Sequence, residues 1–346
     1  MWILHASAHR AHAPADEFHR GQRVPCFESP RRAEIVVQAL RTAGHPVREP
    51  THDSRALLPR VHAARYLAFL ESAWAQWLAR DAANAQRQPF PSVWPVRSLR
   101  SDIEPHDFIA RLGLYSMDNG TPLVAGTWAA AKAGADAALS AAAMLDAGER
   151  AVLCATRPPG HHAGADFMGG YCFINNAALA AVALREHGCA RVAVLDVDYH
   201  HGNGTQSIFY DRADVLFASL HGDPRTEYPF YLGHADETGA GPGLGFNLNL
   251  PLPAGTTAGA WFDALRAACE RVRRHRPQAL VVSLGLDTFA GDPICSFRLQ
   301  GDDFARLGED LHRIGCPTVF ILEGGYAALE LGDNVVRVVD GFEQAA

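Results

Sequence analysis

Residues 194–206 read VLDVDYHHGNGTQ. The apolar, β-branched beginning of this stretch predicts a buried strand, and the carboxylates, imidazoles and glycines that follow predict a loop. Because alternate residues of an extended segment face the same way, Asp196, Asp198 and His200 can point at one spot, with His201 on the opposite side. Such groups at the end of an apolar strand indicate a metal site more than a solvated strand end.

The chain around this stretch alternates between apolar strands and helices. Strands are predicted over residues 2–6, 151–155, 191–197, 215–220, 246–250, 279–284 and 318–322. Helices are predicted over residues 29–43, 61–80, 127–147, 175–187, 258–274, 302–314 and 334–340. This alternation predicts an α/β fold in which a mostly parallel sheet carries helices on both faces. The sequence shows no repeat or flexible linker, so residues 1–346 are expected to form a single domain.

Residues 82–126 interrupt the alternation. They contain Pro89, Pro91, Pro95, Pro105 and Pro122, together with Phe90, Trp94 and Phe108. A loop of this length inside a compact domain is functional or disordered, and its aromatic residues argue against disorder. We therefore expect an ordered loop insertion that packs on another surface, for which a second subunit is a candidate.

The composition indicates a soluble globular protein with a large core, because 48% of the residues are hydrophobic and 20% are charged. The net charge of −7 comes without a basic stripe, so a nucleic-acid partner is not expected. The seven cysteines form no CxxC pair, which favours reduced thiols over a disulfide framework. No signal peptide or membrane-spanning run is recognised, so the protein is expected in the cytoplasm, without a membrane partner.

Polar clusters follow four of the predicted strands. Residues 157–162 follow the strand at 151–155, and Asp198 to His201 follow the strand at 191–197. Residues 285–287 and 323–326 follow the strands at 279–284 and 318–322. Since ligands of open parallel sheets bind outside the carboxyl ends of the strands, these clusters are expected to form one site.

Asp198, His200 and Asp287 make a set of three candidate ligands that leaves room for water, as in a catalytic zinc site. Two carboxylates and one imidazole are a harder ligand set than three histidines, so Fe²⁺, Mn²⁺ or Co²⁺ could compete with Zn²⁺. A bound metal ion acidifies water and polarises a carbonyl oxygen.

Proton transfer can be assigned to the tandem His161–His162, as base and then as acid for a leaving amine. Asp196 or Asn203 could fix the tautomers of these imidazoles. Tyr326, between Gly325 and Ala327, could donate its hydroxyl to an oxyanion. Together these residues indicate metal-assisted amide hydrolysis.

The same segments resemble the histone-deacetylase branch of the arginase–deacetylase superfamily. They are RPPGHHA (157–163), DVDYHHGNGTQ (196–206), LGLDTF (284–289) and EGGY (323–326). Further segments, at 16–34, 169–177 and 219–224, are most similar to bacterial acetylpolyamine amidohydrolases. The resemblance implies an eight-stranded sheet and a zinc-dependent deacetylase of N-acetylated polyamines or diamines, such as acetylputrescine, acetylcadaverine or acetylspermidine.

The resemblance also implies roles for individual residues. Zinc would lie on Asp198, His200 and Asp287, with His162 as base and acid, His161 as its electrostatic partner and Tyr326 as carbonyl polariser. K⁺ or Na⁺ would lie on Asp196, Asp198 and Ser219 and on the carbonyls of His200 and Leu220. A second monovalent site would use Phe209, Arg212, Val215 and Phe246. Tyr171 and Tyr228 would wall the acyl channel.

The resemblance further implies a homodimer in which the 82–126 loop narrows the channel. Glu17 and Glu104 match the acids that meet the ammonium groups of the substrate. A family acid at the channel mouth falls on Gly120, with Asp118 nearby. Extra residues between Asp102 and Arg111 also depart from the family, so acetylated diamines are expected as readily as long polyamines.

Three alternatives differ in chemistry. A binuclear ureohydrolase of the arginase type would need a carboxylate where Phe289 stands, and we reject it. A protein-lysine deacetylase would use the same core residues and remains an alternative. A non-catalytic protein that binds acetylated ligands would usually lack a metal ligand or the tyrosine, and here all are present.

Overall fold

A parallel sheet of eight strands forms the centre of the protein, seen in a computed structural model that describes residues 1–96 and 98–345. Its strands are β1 (Trp2–Leu4), β4 (Val47–Arg48), β5 (Ala151–Cys154), β6 (Val192–Asp196), β7 (Val215–Gly222), β8 (Asn247–Leu252), β9 (Ala279–Leu284) and β10 (Thr318–Leu322). A separate antiparallel hairpin consists of β2 (Asp16–His19) and β3 (Gln22–Pro25). The spatial order in the sheet is β4-β1-β5-β10-β9-β6-β7-β8. The predicted α/β fold is confirmed, and every pair in the sheet is parallel.

Helices cover both faces of this sheet. They are α1 (Pro30–Thr42), α2 (Ala64–Arg80), α3 (Phe108–Leu114), α4 (Thr127–Asp146), α5 (Asn176–Glu186), α6 (Asn203–Phe209), α7 (Ala258–His275), α8 (Gly301–His312) and α9 (Leu331–Gln344). One core joins α2, α4 and α5 to one face, and a second core joins α1, α7, α8 and α9 to the other. In β6, Val192 and Val194 enter the first core, whereas Ala193 and Leu195 enter the second. Burial on both faces explains why the strands read as continuous apolar runs.

Several elements differ from the predicted ones. Helix α9 runs from Leu331 to Gln344, longer than the predicted 334–340, because Leu331 and Phe342 are both buried in the core. Helix α6 begins at Asn203, inside a stretch predicted as loop. The edge strand β4 and the β2–β3 hairpin were missed, since a strand of two residues and a hairpin outside the sheet carry almost no periodic signal.

The 82–126 segment contains regular structure within its described residues. Helix α3 forms there because the carboxylate of Asp107 accepts hydrogen bonds from the amides of Ile109 and Ala110, and Phe108 and Leu112 are buried in the core. A short 3-10 turn covers Ala82–Gln86. Across residues 1–96 and 98–345, helices of a length and hydropathy suited to crossing a bilayer are absent.

Candidate active site

Asp198, His200 and Asp287 lie together just beyond the carboxyl ends of β6 and β9. His200 Nδ1 is 3.3 Å from Asp198 Oδ1 and 3.0 Å from Asp287 Oδ2. One ligand atom of each residue lies within 4.8 Å of the others, and both carboxylates are fully buried. The three residues form a candidate metal-binding group.

The surroundings of this group suit a divalent cation. Burial and the neighbouring carboxylate of Asp198 raise the pKa of Asp287 to about 7, and a cation between the two would relieve their repulsion. The amide of Tyr199 donates to Asp287 Oδ1 at 2.8 Å, and the amide of Gly324 donates to Asp198 Oδ2 at 2.8 Å. These backbone donors fix the orientation of both carboxylates, as outer contacts of metal ligands do.

Gly324 is required by the closeness of this group. A Cβ atom at this position would lie 2.5 Å from Asp287 Oδ2 and 2.6 Å from Asp198 Oδ2, well inside any tolerated contact. The glycine therefore allows the loop after β10 to pass over the two carboxylates. The first glycine of the EGGY segment therefore has a steric reason, separate from the candidate role of Tyr326.

His161 and His162 lie side by side, with ring centroids 3.9 Å apart, but have different partners. His161 Nδ1 is 3.0 Å from Asp196 Oδ2. Burial lowers the pKa of His161, but the carboxylates of Asp198 and Asp196 outweigh it and raise the pKa to about 10. Burial, followed by the charges of His161 and His200, lowers the pKa of His162 well below its ordinary value. One imidazole of the pair is therefore charged and the other is neutral.

The tautomer of His162 follows from Asn203. The side-chain oxygen of Asn203 lies 2.7 Å from His162 Nδ1 and accepts a hydrogen bond from it. Nδ1 of the neutral ring must then carry the hydrogen, which leaves a lone pair on Nε2. His162 lines the cavity of the site, so this nitrogen is available to a proton donor there. Asn203 is thus one of the two tautomer partners named from the sequence, and Asp196 is the other.

Tyr326 is held through its backbone and its ring. Asp292 Oδ2 accepts a hydrogen bond of 2.6 Å from the amide of Tyr326. The guanidinium carbon of Arg32 lies 4.6 Å from the ring centroid of Tyr326, and the same side chain donates to the carbonyls of Gly325 and Glu323 at 2.6 Å each. Burial raises the pKa of Tyr326 well above its ordinary value although Arg32 opposes the shift. The hydroxyl therefore keeps its proton and is a hydrogen-bond donor.

A cavity of about 560 Å³ opens above these groups. Tyr171 and Tyr228 line it, and their ring centroids lie 5.7 Å from Tyr326 and 5.0 Å from His162, respectively. Glu17 accepts the hydroxyl hydrogen of Tyr171 at 2.7 Å, and Asp118 accepts that of Tyr228 at 2.7 Å. Both of these acids line the cavity, as do both tyrosines. The two carboxylates therefore hold the aromatic walls in place.

Glu104 does not line the cavity of its own chain. Its carboxylate accepts a hydrogen bond from the hydroxyl of Tyr115 at 2.9 Å and lies 3.4 Å from Arg111 Nη1. The segment that carries it belongs to the 82–126 loop. Within its own chain, Glu104 is therefore engaged by Tyr115 and Arg111 and not by the cavity.

The residues named for monovalent cations divide into two groups. Asp196 faces Ser219 across the β6–β7 pair, and Leu220 follows directly in β7. Phe209 and Arg212 are joined by a hydrogen bond from the Arg212 amide to the Phe209 carbonyl at 3.0 Å. Val215 begins β7, and the Phe246 carbonyl accepts from the amide of Phe217 at 3.0 Å.

Sequence reasoning assigned no role to several buried charges that support the site. Glu28 lies 2.7 Å from Arg157 and 3.0 Å from Arg32, and all three side chains are buried. Glu323 accepts hydrogen bonds from the amides of Gly160 and His161 at 2.6 and 3.2 Å. Glu323 also lies with His161 and Cys172 in a compact group of candidate ligand atoms, but its Oε2 accepts from these two amides and its Oε1 accepts from the Ser283 hydroxyl at 3.2 Å. The sequence signals for Glu323 were its position after a strand and its place in the EGGY segment that carries the family resemblance.

The comparisons with known proteins agree with this geometry. The histone deacetylase domain matches residues 26–342. The chain belongs to the histone deacetylase family. Among members of this family, it is 49% identical to acetylpolyamine amidohydrolase 2 of Pseudomonas aeruginosa over 99% of both chains. It is 42% identical to the acetylpolyamine amidohydrolase of Mycoplana ramosa, again over 99% of both chains.

The family fold is also seen in a solved structure. The crystal structure of the acetylpolyamine aminohydrolase from Burkholderia pseudomallei superposes with a TM-score of 0.94 at 39% sequence identity. The match covers 100% of this chain and 99% of that chain. The predicted family and arginase–deacetylase fold are therefore confirmed, as is the prediction that this histone deacetylase family member is a hydrolytic enzyme.

Proposed function

We propose that this histone deacetylase family member is a zinc-dependent amidohydrolase of N-acetylated diamines or polyamines, such as acetylputrescine, acetylcadaverine and acetylspermidine. The observation that carries the proposal is a tyrosine-walled cavity whose lining includes carboxylates and whose floor includes His162, His200 and Tyr326. The walls suit an apolar methylene chain, and the carboxylates suit ammonium groups. The names of the relatives from P. aeruginosa and M. ramosa support the same substrate class.

Asp198, His200 and Asp287 would hold the zinc ion, whose chemistry is Lewis-acid polarisation of the amide carbonyl and acidification of water. His162 Nε2, with its free lone pair, would take the proton of the attacking water and return it to the leaving amine. His161, kept protonated by Asp198 and Asp196, would place a positive charge next to His162 during this proton transfer. The hydroxyl of Tyr326 would donate to the carbonyl oxygen as it gains negative charge. Fe²⁺, Co²⁺ or Mn²⁺ could fill the same ligand set.

A potassium or sodium ion is proposed beside this group. Asp196, Asp198, Ser219 and the carbonyls of His200 and Leu220 would hold it, and the cross-strand pairing of Asp196 with Ser219 supports this. The carbonyls around Phe209, Arg212, Val215 and Phe246 remain the proposed second site. These hard oxygen donors suit an alkali ion more than zinc.

A homodimer through the 82–126 loop is also proposed. Val93, Val96, Leu99 and Ile103 of this loop each expose more than half of their surface, and exposed apolar patches of this kind mark protein interfaces. Tyr231, which lines the cavity of the site, is 88% exposed. A second subunit would cover these side chains, and its copy of the loop could bring Glu104 to the cavity. Sedimentation of the wild type and of Leu99→Arg would test this, with a monomeric wild type contradicting it.

The substrate class is tested by comparing acetylputrescine with an acetyl-lysine peptide on the zinc-loaded enzyme. We expect kcat/KM to be about tenfold or more higher for acetylputrescine, because only a small cationic amide matches both the walls and the acids. A preference for the peptide would favour the alternative, a protein-lysine deacetylase. Binding of acetylputrescine without hydrolysis would indicate a non-catalytic protein and would contradict the proposed function.

A further inference from the structure

Three carboxylates line the cavity of the site, and they differ in how far they are already used. Glu17 accepts hydrogen bonds from the Tyr171 hydroxyl at 2.7 Å and from the Phe27 amide at 3.1 Å. Asp118 accepts from four donors, which are the amides of Gly120 and Gly170 and the hydroxyls of Thr121 and Tyr228. Both carboxylates therefore already accept hydrogen bonds from other residues of the protein.

Glu227 is the carboxylate of the cavity with the fewest protein partners, and the hydroxyl of Tyr199 is the hydrogen-bonding neighbour of its side chain. Its only ion-pair partner among the described residues is Arg20, whose Nη2 lies 3.7 Å from Glu227 Oε2, beyond hydrogen-bond distance. The Glu227 side chain is 15% exposed, whereas that of Arg20 is 73% exposed. A long pair with an exposed arginine is weak. An incoming cation can therefore replace Arg20 at small cost.

The backbone holds Glu227 at the entrance to the aromatic wall. The amide of Glu227 donates to the Asp223 carbonyl, and the amide of Phe230 donates to the Glu227 carbonyl, both at 3.0 Å. Tyr228, the next residue, packs its ring 5.0 Å from that of His162. Arg20 stands at the tip of the β2–β3 turn, at φ 49°, followed by Gly21 at φ 79°. The backbone of Glu227 is thus held in place, while the partner of its carboxylate is an exposed side chain on a turn.

We propose that Glu227 is a specificity-determining residue, which binds the distal ammonium group of the substrate in exchange for Arg20. This inference rests on the proposed function, since it requires a cationic amide in the cavity. An ammonium that has lost part of its water gains more from a largely buried carboxylate than Arg20 does from its solvated position. Selection of this kind acts on substrate binding and not on the chemical step.

The test uses Glu227→Gln and two substrates of matched shape, acetylcadaverine and the uncharged N-hexylacetamide. We expect the KM of acetylcadaverine to rise about 3- to 10-fold in Glu227→Gln, with kcat changed less than about twofold. The ratio of the two KM values should change by the same factor. The second variant is Arg20→Asn, chosen because asparagine tolerates the positive φ of this position. Its KM for acetylcadaverine should fall about twofold, because the guanidinium that competes for Glu227 is gone.

Glu71→Gln is the matched control for the change of net charge. Glu71 also pairs with an exposed arginine, Arg55, at 3.2 Å, and it does not line the cavity. An equal rise of KM in Glu71→Gln and Glu227→Gln would overturn the inference, as would an unchanged KM ratio in Glu227→Gln. If the wild type hydrolyses N-hexylacetamide at least as well as acetylcadaverine, the proposed function itself fails. A wild type that prefers acetylcadaverine, with a Glu227→Gln variant that keeps the same preference, refutes only the role of Glu227.

Discussion

The floor and the mouth of the cavity are built in different ways. At the floor, Asp198 and Asp287 are fully buried and are fixed by backbone amides at 2.8 Å. At the mouth, Arg20 and Glu227 share one long ion pair, and Tyr231 is 88% exposed. Substituting a buried group leaves its partner without a hydrogen bond, whereas the partner of a substituted exposed group can hydrogen-bond to water. The floor should therefore govern the rate of reaction, and the mouth should govern the KM for charged substrates.

The strongest test of the floor is His162→Gln. The variant removes the free Nε2 that would carry the proton, so we expect kcat for acetylputrescine to fall by about 10³- to 10⁴-fold with little change in KM. Steady-state kinetics of the zinc-loaded enzyme measures this. His52→Gln, an exposed histidine outside the cavity, is the control. A loss below about tenfold would mean that another group carries the proton.

The buried charges beneath the floor are tested by Glu28→Gln. Removing this carboxylate leaves Arg32 and Arg157 buried without their counter-charge, so the free energy of unfolding should fall by about 3–5 kcal/mol. Urea denaturation measures it. Glu186→Gln is the control, because Glu186 forms an exposed pair with Arg60 at 2.9 Å and should lose at most about 1 kcal/mol. Equal losses in both variants would contradict this assignment.

The same cluster predicts a pH dependence of stability. Burial would raise the pKa of Glu28, but Arg157 and Arg32 outweigh burial and lower the pKa below its ordinary value of 4.5. The ionised carboxylate thus stabilises the fold fully above pH 4.5, and this contribution is lost as the pH falls through the lowered pKa of the folded state. Glu28→Gln should therefore show a shallower fall of stability between pH 5 and 3 than the wild type. Parallel curves would contradict this.

Tyr326→Phe tests the donor at the floor. Loss of the hydroxyl should lower kcat by about 10²- to 10³-fold, since one donor to a developing oxyanion contributes this much. Because the ring still packs beneath Arg32, the melting temperature should change little. Tyr210→Phe, outside the cavity, is the control. Unchanged amide turnover in Tyr326→Phe would refute the proposed mechanism.

The smallest expected effect is that of Asp118→Asn, which compares Asp118 with Glu227 as contacts for the ammonium group. In Asp118→Asn the remaining oxygen can still accept from Tyr228 and from the amide of Gly170, so the wall keeps its hydrogen bond. The negative charge is lost, and the amide nitrogen cannot accept from Gly120 and Thr121. Because its carboxylate already accepts hydrogen bonds from four donors, we expect the KM of acetylcadaverine to rise about twofold or less. A rise larger than that in Glu227→Gln would make Asp118 the main ammonium contact and would reverse the order of the two acids.

Much of the site could be predicted because it depends on local sequence. The apolar run that ends at Asp196 predicts a strand, and polar residues after four such strands predict one shared edge. The missed features depend on long-range contacts. Arg32 reaches the loop after β10 from a helix about 290 residues earlier in the chain, and nothing in the local pattern of α1 indicates this. No local pattern singles out Glu227 in the segment between β7 and β8.

The adjacent histidines show most clearly what the sequence determines and what only the folded structure determines. The positions of His161, His162 and the ligand trio could be assigned from residue type and strand ends, because parallel strands bring their carboxyl ends to one edge. Which imidazole is charged depends on burial and on the carboxylates of Asp198 and Asp196, and the tautomer of His162 depends on Asn203, 41 residues away in the chain. Which acid of the cavity has the fewest protein partners depends on the hydrogen bonds that each of them makes. Both are settled by burial and by contacts between distant segments, which only the folded chain brings together.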